Sequence, residues 1–304
     1  MSPIRTRAAD PAAVDRGAYP FADKWMPLRA GRMHYVDEGS GEPILFSHGT
    51  PTWSFEWRHI ISALSPEFRT IAPDHLGFGL SDRPETAPYT PEWHSENFAE
   101  FVEALDVGPL TLVVHDFGGP IALPLALRRP DLVKRLVVTN SWMWSFAGDR
   151  EMESKGKIAG SAVGKALYRW ANMSLKVIMP GAYGDRSKLT PEIHRQYLDR
   201  FPDSWSRGAV LWPLAHALLG SSSFYDSLWF ERARLSATPS LVIWGMRDSA
   251  FKHHQLAKWR EALPHATYVE LPRAGHWPHE EDPEAFESAL RSFLTADDAR
   301  PVSR

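Results

Sequence analysis

Asp116, Asp248 and His276 are the side chains whose types and order along the chain suit nucleophilic chemistry. Asp116 closes the apolar run Leu112-Val113-Val114-His115 and is followed at once by Phe117-Gly118-Gly119-Pro120, so a carboxylate stands on a sharp strand-to-helix turn. A carboxyl with the ordinary Asp pKa of about 4 is already an anion at neutral pH and needs no base before it attacks. It can displace a leaving group from an sp³ carbon and become an alkyl ester. Asp248 lies just beyond Val242-Ile243-Trp244-Gly245, and His276 follows Gly275 after a later run. A carboxylate that orients an imidazole, which in turn takes a proton from water, is what hydrolysis of such an ester requires.

For these three groups to meet, the elements that carry them must end at one edge of a sheet. Short apolar runs at 25–29, 33–37, 44–47, 70–73, 111–115, 135–139, 240–244 and 267–271 are expected strands, each bounded by Gly, Pro or charged residues. The first two, joined at Ala30-Gly31, read as an antiparallel hairpin. From Ile44 onward the runs are continuously apolar and alternate with helical patterns at 54–64, 95–105 and 121–129, as in a parallel sheet buried on both faces. Between Asn140 and Pro239 the rhythm breaks, with helical patterns near 157–173 and 191–201 and no expected strand. The fold class is therefore α/β, a mostly parallel central sheet with helices on both faces and an inserted helical cap. The expected division is a core of 19–140 and 239–294, a cap of 141–238, and flexible ends at 1–18 and 295–304. Ligands of open α/β sheets bind outside the carboxyl ends of the strands, where such a cap would roof them.

Composition narrows the partners. A 304-residue chain that is 43% hydrophobic and 23% charged, with a net charge of −3, has the balance of an ordinary globule and points to neither nucleic acid nor membrane. No run offers the roughly 18 apolar residues of a membrane span, and the start has no apolar secretion core, so the cytoplasm is the default location. Cysteine is absent, which excludes disulfides and thiolate metal sites. No cofactor or metal is expected: there is no His-Glu-x-x-His, and Gly77-Phe78-Gly79 lacks the third glycine of a dinucleotide fingerprint. Oligomeric state is left open.

His48-Gly49-Thr50-Pro51, after the run ending at Ser47, faces the Asp116 turn in this topology. The backbone N–H groups of Thr50 and Phe117 are the expected oxyanion donors. Taken with Pro73-Asp74-His75-Leu76-Gly77-Phe78-Gly79-Leu80-Ser81-Asp82, Trp244-Gly245-Met246-Arg247-Asp248 and Gly275-His276, these segments resemble the haloalkane dehalogenases of the α/β-hydrolase superfamily and the neighbouring epoxide hydrolases. The likeness runs from about Tyr19 to Phe293 and is weakest in the cap. Asn140 and the late acid Asp248 are similar to dehalogenases whose acid is an Asp at the later position.

The resemblance implies that Asp116 attacks a halogen-bearing carbon of a small apolar substrate, and that His276, oriented by Asp248, activates water against the resulting ester. It also exposes a departure. Members of the family hold the leaving halide with a Trp after the nucleophile and an Asn or second Trp, whereas this chain has Phe117 and Thr50 there. Each lost hydrogen bond to charge is worth about 1.5–3 kcal/mol, or roughly ten- to a hundredfold in rate. Trp142 and Trp144 are the candidate replacements, with Trp170 and Trp212 further along. Alternatively the leaving group is an epoxide oxygen polarised by tyrosines among Tyr168, Tyr183, Tyr197 and Tyr225, or a strained lactone; a non-catalytic ligand-binding role is a further reading.

Overall fold

Continuous apolar runs can be buried on both faces of a sheet, and the computed structural model, which describes residues 5–8 and 10–296, uses them in that way. Eight strands form the main sheet: β1 (Lys24–Leu28), β2 (Gly31–Glu38), β3 (Pro43–Ser47), β4 (Arg69–Pro73), β5 (Leu110–Asp116), β6 (Val133–Ser141), β7 (Ser240–Gly245) and β8 (Thr267–Leu271). Their spatial order is β1-β2-β4-β3-β5-β6-β7-β8. β2 pairs antiparallel with both β1 and β4, and every other pairing is parallel. All seven residues of β5 are buried, as the central place of this strand requires. The expected strands are all present, most of them longer by a residue or two at their ends, where pairing with a neighbour extends the ladder past the apolar run. Thr6–Arg7 and Arg83–Pro84 add a small antiparallel pair that the apolar pattern did not signal. Both are polar or proline-containing, so pairing is decided by their proximity and not by side-chain type.

Chain order puts the switch point of the sheet between β3 and β5. From β3 the chain moves outward to β4, then crosses back to β5 on the other side of β3. The loops after β3 and β5 consequently diverge and leave a crevice between His48–Thr50 and Asp116. Helices that pack the core include α1 (Arg58–Leu64), α2 (Pro91–Leu105) and α3 (Gly118–Arg128), with His253–Ala262 and Pro283–Thr295 later in the chain. Thr90 caps α2, accepting from the Trp93 N–H with Pro91 in the first turn, and α3 is apolar on all sides because it lies buried against the sheet.

Between β6 and β7 the described chain is helical and irregular, with no strand. The expected helix near 157–173 is two helices, Arg150–Ala159 and Ala162–Ala171. Its interruption is local chemistry: the Ser161 hydroxyl accepts from the Gly164 N–H and so starts a new helix, and Asn172 ends that helix with φ of 52°. Two carboxylates fasten this excursion to the loop after β8. Glu281 accepts from the N–H groups of Gly184 and Asp185 at 2.8 and 3.0 Å, and from that of Gly275 at 2.9 Å. Glu280 accepts from Arg58 and from the Tyr183 hydroxyl, both at 2.8 Å, and also from the Tyr197 hydroxyl. The expected flexible ends lie partly outside the described residues, at 1–4, 9 and 297–304.

Close approach of β3 to α3 depends on the absence of a side chain at Gly118, where a Cβ would stand 2.1 Å from the Ser47 carbonyl oxygen. Because that obstacle is backbone, Gly118→Ala should destabilise the fold by about 1–3 kcal/mol or more, read as a fall in the thermal unfolding midpoint.

Candidate active site

Asp116 ends β5 with φ of 48°, a left-handed conformation that an Asp adopts only at a cost. The turn swings its carboxylate over the β3 end instead of leaving it in the sheet plane. Gly49 makes room for it, since a Cβ there would lie 2.3 Å from the Asp116 Cβ. The Ser141 hydroxyl secures the turn by donating to the Asp116 carbonyl oxygen at 2.6 Å.

Three strand ends converge on this carboxylate. Thr50 N–H donates to Asp116 Oδ1 at 2.9 Å, and His276 Nε2 lies 3.4 Å from Oδ2. His276 Nδ1 is 2.7 Å from Asp248 Oδ2. The structure thus brings Asp116, His276 and Asp248 together in one relay, with Thr50 and Phe117 at the carboxylate through their backbone N–H groups. Asp248 is itself held by the Asn140 amide at 2.8 Å and the Ala250 N–H at 2.6 Å. Asn140 also accepts from the Gly245 N–H at 2.8 Å, so one side chain ties the end of β6 to the end of β7 and aims the acid.

Charge at the site follows from these contacts. Burial works against an ionised Asp116, but the His276 imidazole and the Phe117 N–H outweigh it and hold the carboxyl below its usual value. Burial likewise opposes a charged His276, yet Asp248 and Asp116 on its two nitrogens push its pKa up to about 10. Both carboxylates thus favour the charged form of the imidazole between them.

The surrounding wall is aromatic. Trp142 packs edge-on against Phe117 with ring centroids 4.7 Å apart and lies 5.0 Å from Phe251, which in turn is 5.5 Å from the His276 ring. Trp142 Nε1 and the Tyr225 hydroxyl are buried without a hydrogen-bond partner among the described residues. Burial raises both Tyr168 and Tyr225 above the ordinary tyrosine pKa; the Asp116 charge adds to this for Tyr168, and the Glu92 and then the Asp116 charge for Tyr225, whose ring lies 5.9 Å from that of Trp142.

Other candidates go elsewhere. Trp144 packs between Trp229 and Trp259, at 5.5 and 5.4 Å, because its position two residues after Trp142 turns it to the far side of the chain. Trp170 is exposed, and Trp212 donates its indole N–H to the Ala159 carbonyl at 3.1 Å. Tyr183 and Tyr197 are committed to Glu280.

Behind the site lies a cluster that sequence reasoning missed. His115 Nε2 is 2.8 Å from the His276 carbonyl oxygen, and an oxygen of that kind only accepts, so Nε2 carries the proton. His115 Nδ1 faces Glu56 Oε1 at 3.1 Å, a contact that requires a further proton between the two. His279 stacks on Trp57 beside them, at a centroid distance of 4.1 Å. Among the described residues, Glu56, His115 and His279 are also the group whose ligand atoms lie close enough to hold a metal ion, within 4.8 Å of one another and fully buried. The only available signal was the unusual charge of Glu56 within the aromatic stretch Trp53-Ser54-Phe55-Glu56-Trp57.

Since the folded pKa of His276 stands above its ordinary 6.5, this histidine adds stability that is complete below about 6.5 and lost as pH rises towards about 10. Asp116→Asn removes one of the two carboxylates responsible. The His276 titration followed by NMR should therefore move down towards the ordinary value, and the alkaline loss of stability, which begins near pH 6.5 in both proteins, should be smaller and complete at lower pH in the variant.

Comparison with known proteins agrees with this architecture. Residues 42–283 match the alpha/beta hydrolase fold family. The chain is 34% identical to haloalkane dehalogenase 2 of Mycobacterium tuberculosis over 278 residues, covering 91% of this chain and 96% of that protein. It is 32% identical to a cis-3-alkyl-4-alkyloxetan-2-one decarboxylase of Xanthomonas campestris, covering 91% and 97%. Among solved structures, a haloalkane dehalogenase of Agrobacterium tumefaciens C58 superimposes with a TM-score of 0.79 at 27% identity, covering 90% of this chain and 96% of that one. A strand-end carboxylate at the switch point, an imidazole bridging it to a second carboxylate, and this likeness along nine-tenths of the chain lead to one assignment: the chain belongs to the α/β-hydrolase family as a haloalkane dehalogenase-like member.

Proposed function

We propose that the protein is a hydrolase that cleaves a carbon–halogen bond of a small apolar substrate through an alkyl ester on Asp116. The observation that carries this reading is the relay from Asp116 through His276 to Asp248, at 3.4 and 2.7 Å. Asp116 Oδ2, the oxygen on the His276 side, attacks the carbon in line as halide departs. Oδ1, already held by Thr50 N–H, becomes the ester carbonyl. Alkylation cancels the Asp116 charge, so one of the two groups that raise the His276 pKa is lost and the imidazolium gives up its proton to solvent. The neutral imidazole then takes a proton from water, whose oxygen attacks the Asp116 Cγ. Negative charge growing on Oδ1 is met by the Thr50 and Phe117 N–H groups. Collapse restores Asp116 and releases an alcohol, so one substrate and one water give alcohol, halide and a proton.

Leaving-group binding falls to Trp142, whose buried Nε1–H has no other partner. The Phe117 side chain contributes a wall, not a donor. A second reading is favoured by the Tyr225 hydroxyl, also buried and unpartnered on a ring 5.9 Å from Trp142: a phenol donor there suits an oxygen leaving group in a strained ring, an epoxide or a four-membered lactone. Resemblance to an oxetan-2-one decarboxylase supports the same alternative.

Asp116→Asn should abolish halide release from a panel of haloalkanes. His276→Ala should accumulate an Asp116 ester, and the mass gained, read by intact-protein mass spectrometry, names the transferred group. Phe117→Trp should speed halide departure by roughly tenfold if a halide is what leaves. An unchanged rate there, with turnover of an epoxide or β-lactone that Tyr225→Phe slows, would replace the halide reading by the oxygen one.

A further inference from the structure

The helix Ala162–Ala171 has two faces with opposite tasks. Tyr168 turns inward, buried and close enough to Asp116 to feel its charge. Val163, Leu167 and Trp170, at positions i, i+4 and i+7, share the outer face and are 67%, 39% and 68% exposed. Ile158 before the helix and Val177 and Ile178 after it are exposed as well, at 62%, 62% and 44%. Six large apolar side chains in one short stretch exceed the scattered exposure expected of a folded surface.

Charge along the same stretch is one-sided. Between Glu153 and Asp185 the sequence has no acidic residue but carries Lys155, Lys157, Lys165, Arg169 and Lys176. Lys155 and Lys157 pair with Glu151 and Glu153, while Lys165, Arg169 and Lys176 form no ion pair among the described residues. The whole-chain charge of −3 hides this local excess.

We propose that this outer face docks on the anionic surface of a phospholipid bilayer, with Trp170 and Val163 entering the headgroup boundary and Lys165, Arg169 and Lys176, the first two lying over the Trp212 and Trp170 rings, meeting lipid phosphates at its flanks. The cations argue for lipid over a second copy of the chain, because a self-complementary contact would set like charges opposite one another. Docked in this way, the helix that roofs Asp116 lies against the phase in which an apolar substrate accumulates. Binding needs no turnover, so its outcome is independent of which leaving group the site takes.

The test is co-sedimentation of the full chain with vesicles of phosphatidylcholine alone and of phosphatidylcholine mixed with phosphatidylglycerol. Binding to the mixed vesicles should be roughly a hundredfold tighter at low salt, the effect of about three cations at an anionic surface, and should weaken as salt is added. The double variant Val163→Glu, Trp170→Glu should lose binding yet turn over a water-soluble substrate at the wild-type rate. Arg169→Gln with Lys176→Gln should narrow the difference between the two vesicle types by about tenfold or more. Equal binding to both vesicle types, or undiminished binding by the glutamate variant, would overturn the proposal. So would a vesicle-indifferent dimer that the glutamate variant converts to monomer, which would assign the face to self-association.

Discussion

Everything at the site turns on a carboxylate kept charged inside the protein. Burying Asp116 alone would favour its neutral acid, which neither attacks carbon nor holds an imidazolium. Two backbone N–H groups and His276 reverse that preference. The same contacts explain why the backbone accepts a left-handed turn at this residue: the elbow is what lets β3, β5 and the β8 loop address one side chain. A short chain of dependencies follows, since Asp116 needs His276, His276 needs Asp248, and Asp248 is aimed by Asn140 and the Ala250 N–H.

In the proposed cycle the imidazole that stabilises the resting anion is also the base of the second half, and the two duties conflict unless its proton affinity changes between them. Charge loss at Asp116 would supply the change without any movement of the chain. Further back, the His115 and Glu56 pair lies against the His276 backbone carbonyl, adding a hydrogen-bonded layer beneath the loop. Glu280 and Glu281 join that loop to the helical excursion, so the roof and the imidazole are positioned by the same short segment.

Replacement of the family's indole donor by Phe117 shifts the leaving-group question onto the aromatic wall. A Trp directly after the nucleophile would place its N–H from the elbow itself. Trp142 reaches the same chamber from the end of the neighbouring strand β6 and packs on Phe117, so the two positions are coupled through one edge-on contact. Whether such a wall best receives a soft halide or a ring oxygen depends on how its indole and phenol groups are shared.

Much was legible from residues alone. An apolar run that stops at Asp116 and two more that are followed within a few residues by Asp248 and His276 point to the strands and their chemistry together, because a parallel sheet brings strand ends to one edge. Spacing also marked the hairpin and the strandless stretch before Pro239. Ser161, read as a cap, would have divided the helix that periodicity joined. What the sequence determined is the chemical inventory and its order: two carboxylates and an imidazole at or beyond the ends of three strands, with no side-chain donor at Phe117. Only the tertiary structure decided which of the spare aromatics serve the site, sending Trp142, Tyr168 and Tyr225 inward and Trp144, Trp170 and Trp212 away. That choice depends on helix rotation and on contacts between residues far apart in the chain, such as His115 with the His276 carbonyl, which no local pattern encodes.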